Sequence, residues 1–225
     1  MTLTSDTQEM AHRTALWEIE RALFASGTRM VAGVDEAGRG PLAGPVVVAA
    51  VILPAECWFA GLNDSKQVAP ALRERLAEDI IASALAYSIQ VVPAETIDDI
   101  NILRATHLGM RAALNALTPA AEVALIDGLP LPECPLPQQN VIGGDARSAS
   151  IAAASILAKT HRDRLMCAFE ETYPGYGFAQ HKGYGTAAHL QALRRLGPCP
   201  IHRRSFAPVR ACVQEQLSFS ERSTR

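Results

Sequence analysis

The chain has 225 residues, 48% of them hydrophobic and 20% charged, a length and balance that allow a full core and exclude disordered and fibrous classes. No apolar run approaches the ~20 residues that span a bilayer, and the first residues alternate charge with apolar side chains, unlike a secretory signal. The net charge of −2 hides a division: residues 1–158 carry 10 Lys and Arg against 18 Asp and Glu, whereas residues 159–210 carry 9 against 3.

Along the chain, residues 12–24 place Leu16, Ile19 and Leu23 at helical spacing and predict a short amphipathic helix within an N-terminal helical segment, residues 1–28. Two Val- and Ala-rich runs, Met30–Val34 and Val46–Leu53, flank GRGPLAGP and read as adjacent strands. Asn63-Asp64-Ser65 is a turn or cap before a helix whose face is Leu72, Leu76 and Ile80. Tyr87–Val92 alternates as a third strand does, and Ile100, Leu103, Met110, Leu114 and Leu117 predict one long helix ending before Pro119. Strands follow at Glu122–Ile126 and Asn140–Ile142, separated by a Pro-rich loop, and a helix runs from Ala146 to about Thr172. A glycine-rich, aromatic and basic region closes with a helix near 186–196. Strands alternating with helices predict an α/β fold, a mixed five-stranded sheet flanked by helices. Residues 29–210 are expected to form one domain with a small helical C-terminal extension, and residues 211–225 a frayed tail. Five widely spaced cysteines without a CxxC pair fit reduced thiols in the cytoplasm better than disulfides or structural zinc.

Acidic residues stand at or just past the ends of three predicted strands, Asp35-Glu36, Asp127 and Asp145, where α/β sheets put their chemistry. Singly each is ordinary: Asp127-Gly128 is a turn by itself, and Asp145 is a helix cap. Together they fit phosphodiester hydrolysis, which needs an activated water and positive charge at the leaving oxygen; two divalent cations ~3.5–4 Å apart supply both. Mg²⁺ takes oxygen ligands and keeps several waters, so a few converging carboxylates suffice. Successive strand residues face opposite ways, so Asp35 and Glu36 serve one site only if the strand breaks at Glu36, or if Glu36 acts through its carbonyl or a water. GRGPLAG is no phosphate-binding P-loop, because no Gly-Lys-Ser/Thr follows. The basic segment suits a phosphate-binding face, although charge alone favours a solvated surface.

The string VDEAGRGPLAGPVVVAAVIL, then Asp64-Ser65-Lys66, Leu125-Ile126-Asp127-Gly128, GGDARSASIAAASILAKTHRD, YPGYGFAQHKGYGT and HRRSF resemble, in order, the motifs of the ribonuclease HII family across about residues 30–210. The resemblance implies a ribonuclease H-like fold and a metal-dependent endoribonuclease. Such an enzyme cuts the RNA strand of RNA–DNA hybrids, especially 5′ of single ribonucleotides embedded in duplex DNA, and leaves 5′-phosphate and 3′-hydroxyl ends, as ribonucleotide excision repair requires. It implies two-metal catalysis with Mg²⁺ or Mn²⁺ and no organic cofactor, with Asp35, Glu36, Asp127 and Asp145 as metal-holding catalytic residues. Gly38-Arg39-Gly40 would read the ribose 2′-hydroxyl, Tyr184 would pack against the sugar beyond the junction, and Lys66 and Lys182 would bind substrate. Glycines let backbone groups approach a sugar edge, and the 2′-hydroxyl is what separates RNA from DNA.

Lys159, Arg162, Arg203 and Arg204 are further candidate phosphate contacts, which position rather than specify. Gly143 stands where many relatives have a lysine, which puts a phosphate contact from that side in doubt. The expected form is a monomer in the cytoplasm, acting on hybrid or on DNA with embedded ribonucleotides, with no membrane partner. The rivals are a nuclease for long hybrids without junction preference and a catalytically silent hybrid-binding protein. A role for Asp163 or His202 in chemistry stays open.

Overall fold

The computed structural model describes residues 5–214. Five strands, β1 Val31–Ala37, β2 Val46–Ile52, β3 Ala86–Val92, β4 Val123–Asp127 and β5 Gln138–Val141, form one sheet in the order β3-β2-β1-β4-β5. β4 runs parallel to both β1 and β5. The Gly38–Pro45 connection between neighbours β1 and β2 is shorter than the roughly dozen residues a parallel crossover needs, so that pair is antiparallel and the sheet mixed. This is the α/β architecture the sequence predicts.

The fold divides into two compact units. The first comprises the chain up to Ala37, Val48–Gln90 and His107–Thr160; the second comprises Gly38–Val47, Val91–Thr106 and the chain from His161 on. In the first unit, Val34, Val48, Ile52 and Ile126 of the sheet pack with Met110 and Leu114 of helix α5 (Ile102–Asn115). A separate cluster joins Val31, Leu125 and Val141 to Ile151 of helix α6 (Ala149–Thr172) and to Ile19, Leu23 and Phe24 of helix α2 (Glu18–Ala25). β2, VVVAAVI, is buried along its whole length and accordingly carries no polar residue. α6 approaches β1 so closely that a Cβ at Gly33 would meet the backbone of Ser150 and Ile151.

Two predicted helices are each broken. The N-terminal helix is α1 (Ser5–Leu16) followed by α2, with Trp17 outside helical geometry between them. Trp17 is buried and its Nε1 donates to Cys57 O at 2.9 Å, a tertiary bond that outweighs continuous helical propensity. The long helix expected from Ile100 is α4 (Ala94–Ile100) followed by α5, because Asn101 takes φ 68°. With ψ 163° this is a conformation that residues other than glycine rarely adopt, and Asn101 Oδ1 accepts from Arg104 N at 3.1 Å to cap α5. Helix α3 (Pro70–Ser83) starts with the Pro that its fixed φ favours there.

The second unit holds the short helices α7 (Phe178–His181) and α8 (Ala187–Leu196), and residues 207–214 are helical. Its core stacks Tyr176 on Phe178 at 5.1 Å beside Met166 and Cys199, and packs Leu42 with Leu193, Val209 and Cys212. Residues 211–214 of the expected tail therefore belong to a helix, and 215–225 lie outside the described residues. Among the described residues no helix is long and apolar enough to cross a membrane.

Candidate active site

In the first unit, parallel pairing of Val34 with Ile126 sets the next residues of the two strands side by side, Asp127 at the end of β4 and Asp35 two residues before the end of β1. Asp127 in turn pairs with Val141 of β5, after which the chain turns into a 3-10 turn, Gly144–Ala146, that carries Asp145. The turn is tied to β4 directly: Gly144 N donates to Asp127 Oδ1 at 2.7 Å. Glu36 stays in strand geometry, since β1 continues to Ala37, so the break that would have turned it does not occur. Its backbone N–H donates to Asp35 Oδ1 at 2.6 Å.

These carboxylates repel one another. Burial, then the charges of Glu36 and Asp127, hold the Asp35 carboxyl well above the usual carboxylate range, against the Glu36 N–H bond; Asp145 adds to the rise. Asp145 is raised too, by burial first and then by Asp64, while Lys66 opposes the shift. Lys66 Nζ lies 3.4 Å from Asp145 Oδ2 and 3.8 Å from Asp64 Oδ1. Its side chain is 78% exposed, so water screens the pair and it stabilises the fold little.

The donor set is all oxygen and carries excess negative charge, the composition that a hard divalent cation such as Mg²⁺ relieves. Among the described residues, no group of three or more His, Cys, Asp or Glu side chains is already placed to hold a metal ion. Asp35, Asp127 and Asp145 each have an oxygen engaged by a protein donor. An ion that retains several waters needs no closed cage, and the donor chemistry fits it.

The second unit holds the Gly38–Gly40 loop, and two buried arginines shape it. Arg203 donates from Nη2 to Gly38 O at 2.6 Å, from Nη1 to Arg39 O at 2.8 Å and from Nε to Gly44 O at 2.9 Å. Arg162 donates to Pro45 O, Lys182 O and Ala43 O at 3.0–3.2 Å. These guanidinium groups are therefore internal clamps, not the phosphate contacts expected of them, and a lysine could not reproduce their planar fork. Burial, then the neighbouring Arg162 charge, lowers Arg203 to about 9.

Tyr184 is exposed beside this loop, 6.0 Å from the Arg162 guanidinium carbon to the ring centre, and a Cβ at Gly40 would lie 3.9 Å from its Cε1. Arg39 is exposed. Lys182 is committed locally: its Nζ donates to Ala179 O and lies 3.1 Å from Cys167 Sγ, so a phosphate would have to displace those bonds. The exposed Arg204 has its backbone N–H, with that of Ser205, held by Asp98.

Residues 32–209 match the family model for ribonuclease HII. The chain belongs to the ribonuclease HII family. Ribonuclease HII of Geobacillus kaustophilus is 55% identical over 204 residues, 90% of this chain and 78% of that protein. That of Moorella thermoacetica is 56% identical over 192 residues, covering 85% and 93% respectively. The ribonuclease H2 of Pyrococcus horikoshii OT3 shares the fold with a TM-score of 0.71 at 26% identity, over 83% of this chain and 98% of that one. The protein is thus a ribonuclease H-type endonuclease, a hydrolase on a ribonuclease H-like fold. The match to ribonuclease HII spans every candidate residue from Asp35 to Arg204 and begins beyond helices α1 and α2.

Two groups near these candidates escape sequence reasoning. Asp64, read as a turn residue, shares a side-chain hydrogen bond with Asp145 and is a further carboxylate of the cluster; its place in the Asp64-Ser65-Lys66 motif was the available signal. The other is a buried histidine chain. Cys199 N donates to His202 Nδ1 at 3.0 Å, so neutral His202 carries its hydrogen on Nε2 and donates to His189 Nε2 at 3.1 Å. His189 must then carry its hydrogen on Nδ1, which donates to Tyr184 O at 2.9 Å. Burial, then the His189 ring, lowers His202 to about 4, and burial lowers His189 as well. His202 thus orients the backbone at Tyr184.

Proposed function

We propose that this endonuclease cuts the RNA strand of RNA–DNA hybrids, above all on the 5′ side of a single ribonucleotide embedded in duplex DNA, leaving 5′-phosphate and 3′-hydroxyl ends. The observation that carries the reading is the pairing that sets Asp35 of β1 beside Asp127 of β4, with Asp145 just past β5, where burial first and then the charges of Glu36 and Asp127 raise the Asp35 carboxyl. Such a cluster costs stability without a cation, and the residues that would hold two Mg²⁺ or Mn²⁺ ions are Asp35, Asp127 and Asp145, with Glu36 assisting through its carbonyl or a water. When bound, the cations supply an activated water and charge stabilisation for the leaving oxygen.

The protein's own groups do the rest. Asp127 and Gly144 fix the turn that presents Asp145, and Lys66 limits the net charge there. Gly38-Arg39-Gly40 follow Glu36 almost directly in the chain and meet the ribose 2′-hydroxyl through backbone groups, held in place by Arg203. Tyr184 lies against the next sugar, accepting a deoxyribose and rejecting the extra hydroxyl of a ribose. Arg39, Lys66, Lys182 and Arg204 neutralise phosphates.

The test is a labelled DNA duplex with one ribonucleotide, incubated with wild type and Asp127→Asn in Mg²⁺, Mn²⁺ or EDTA. One metal-dependent cut 5′ of the ribonucleotide, lost in D127N, is expected. Cleavage only along a continuous hybrid would replace junction cutting by general hybrid cleavage. Loss of neither cut in D127N would remove Asp127 from the site.

A further inference from the structure

Glu20 lies on α2, before the span matched by the family model, and it is fully buried. Its Oε1 accepts from Ser148 Oγ at 2.6 Å and from Ser150 N at 2.9 Å. Oε2 is buried without a hydrogen-bond partner among the described residues. α6 begins at Ala149, so Glu20 caps this helix from another element, at the end where backbone N–H groups lack partners and negative charge is favoured.

A capping Ser, Thr or Asp within the chain does this without burying a carboxylate, and Ser148 already accepts from Ile151 N at 3.2 Å. The extra reach of Glu20 is explained by what Ser148 holds. Ser148 N donates to Gly144 O at 2.8 Å, Gly144 N donates to Asp127 Oδ1, and Asp145 is the next residue. One run of hydrogen bonds therefore leads from α2 to Asp127 and to the residue before Asp145. α2 is a firm base for it, since Ile19, Leu23 and Phe24 pack against Val31, Leu125 and Ile151.

We infer that Glu20 is a positioning residue for cation binding, holding the Gly144–Ser148 segment so that Asp127 and Asp145 keep their geometry. Burial raises its carboxyl above the ordinary value, with the Ser148 bond opposing, in keeping with a group retained for the segment it grips. The inference rests on Asp127 and Asp145 being cation ligands. It gives the N-terminal helices a part in the enzyme's chemistry that their position outside the family match does not suggest.

The experiment titrates Mn²⁺ calorimetrically into the full-length protein without substrate, with urea midpoints measured alongside. Glu20→Ala should weaken Mn²⁺ binding by about tenfold or more, the usual effect of removing a group that orients a ligand. Glu20→Gln, which keeps an acceptor for Ser148 and Ser150, should restore most of the affinity. Trp17→Phe, which cuts the other tether of α2 at Cys57 O, should lower the midpoint and leave Mn²⁺ affinity within about twofold. If E20A does not fold, Ser148→Ala replaces it and should weaken Mn²⁺ in the same way. Wild-type Mn²⁺ affinity in E20A or S148A, with only the midpoint lowered, overturns the inference and makes Glu20 a simple cap. Absence of Mn²⁺ binding by wild type would sink the cation site itself, and the inference with it.

Discussion

His202 shows how one side chain converts burial into a pH response. Its place between Cys199 N and His189 Nε2 admits only the neutral ring, and its pKa falls from 6.5 to about 4. Between those values the unfolded chain binds the proton and the folded chain does not, so stability falls as pH drops through that window and the penalty is absent above it. At about 1.4 kcal/mol per pH unit the group costs roughly 3 kcal/mol by pH 4. Asp35 acts the other way: its raised pKa favours the folded state in acid, a contribution lost as pH rises. Urea unfolding at pH 7 and pH 4.5 should therefore show a smaller acid loss in His202→Gln than in wild type; equal losses would mean His202 is not held neutral. At this scale the sequence marked Asp35, Asp127 and Asp145 as candidates, because turn residues mark the strand ends near which they stand. It did not disclose Arg162, Arg203 or Glu20, since a charge buried against backbone reads the same as one in water until the fold supplies its partners.

Among the elements, the contact of β1 with α6 is the tightest constraint, because Gly33 leaves no room for a side chain against Ser150 and Ile151. The obstacle is backbone rather than a flexible side-chain tip, so Gly33→Ala should cost about 3 kcal/mol, the upper range for overpacking, seen as a lowered thermal midpoint. An unchanged midpoint would mean that α6 can slide on the strand. Because Asp35 lies two residues on and Asp145 just before α6, the variant should also weaken cation binding. Strand positions were legible in the sequence, since Val-rich runs bounded by Gly and Pro have few alternatives. Helix continuity was not: Trp17 and Asn101 fit helical periodicity, and only the Cys57 and Arg104 bonds show why the chain breaks there.

Across the whole molecule, the excess of basic residues in 159–210 falls almost entirely within the part of the second unit that begins at His161. Arg162 and Arg203 are engaged internally, whereas Arg39, Lys66 and Arg204 are exposed. Two or more phosphate contacts should weaken binding of a ribonucleotide-containing duplex by D127N at least about tenfold between 50 and 200 mM salt. Fluorescence anisotropy would measure this, and a salt-independent Kd would exclude phosphate neutralisation as the source of affinity. The clamp on the loop has a consequence in time as well. Arg203 and Gly38 are 165 residues apart. A growing chain has all five strands and all four acidic candidates once Asp145 is made, but nothing yet to grip Gly38, Arg39 and Gly44. At roughly 5–20 residues per second, several seconds of synthesis separate those events. The loop acquires this clamp only after Arg203 is made, so a chain interrupted before that point would keep its acids and lack the clamped loop.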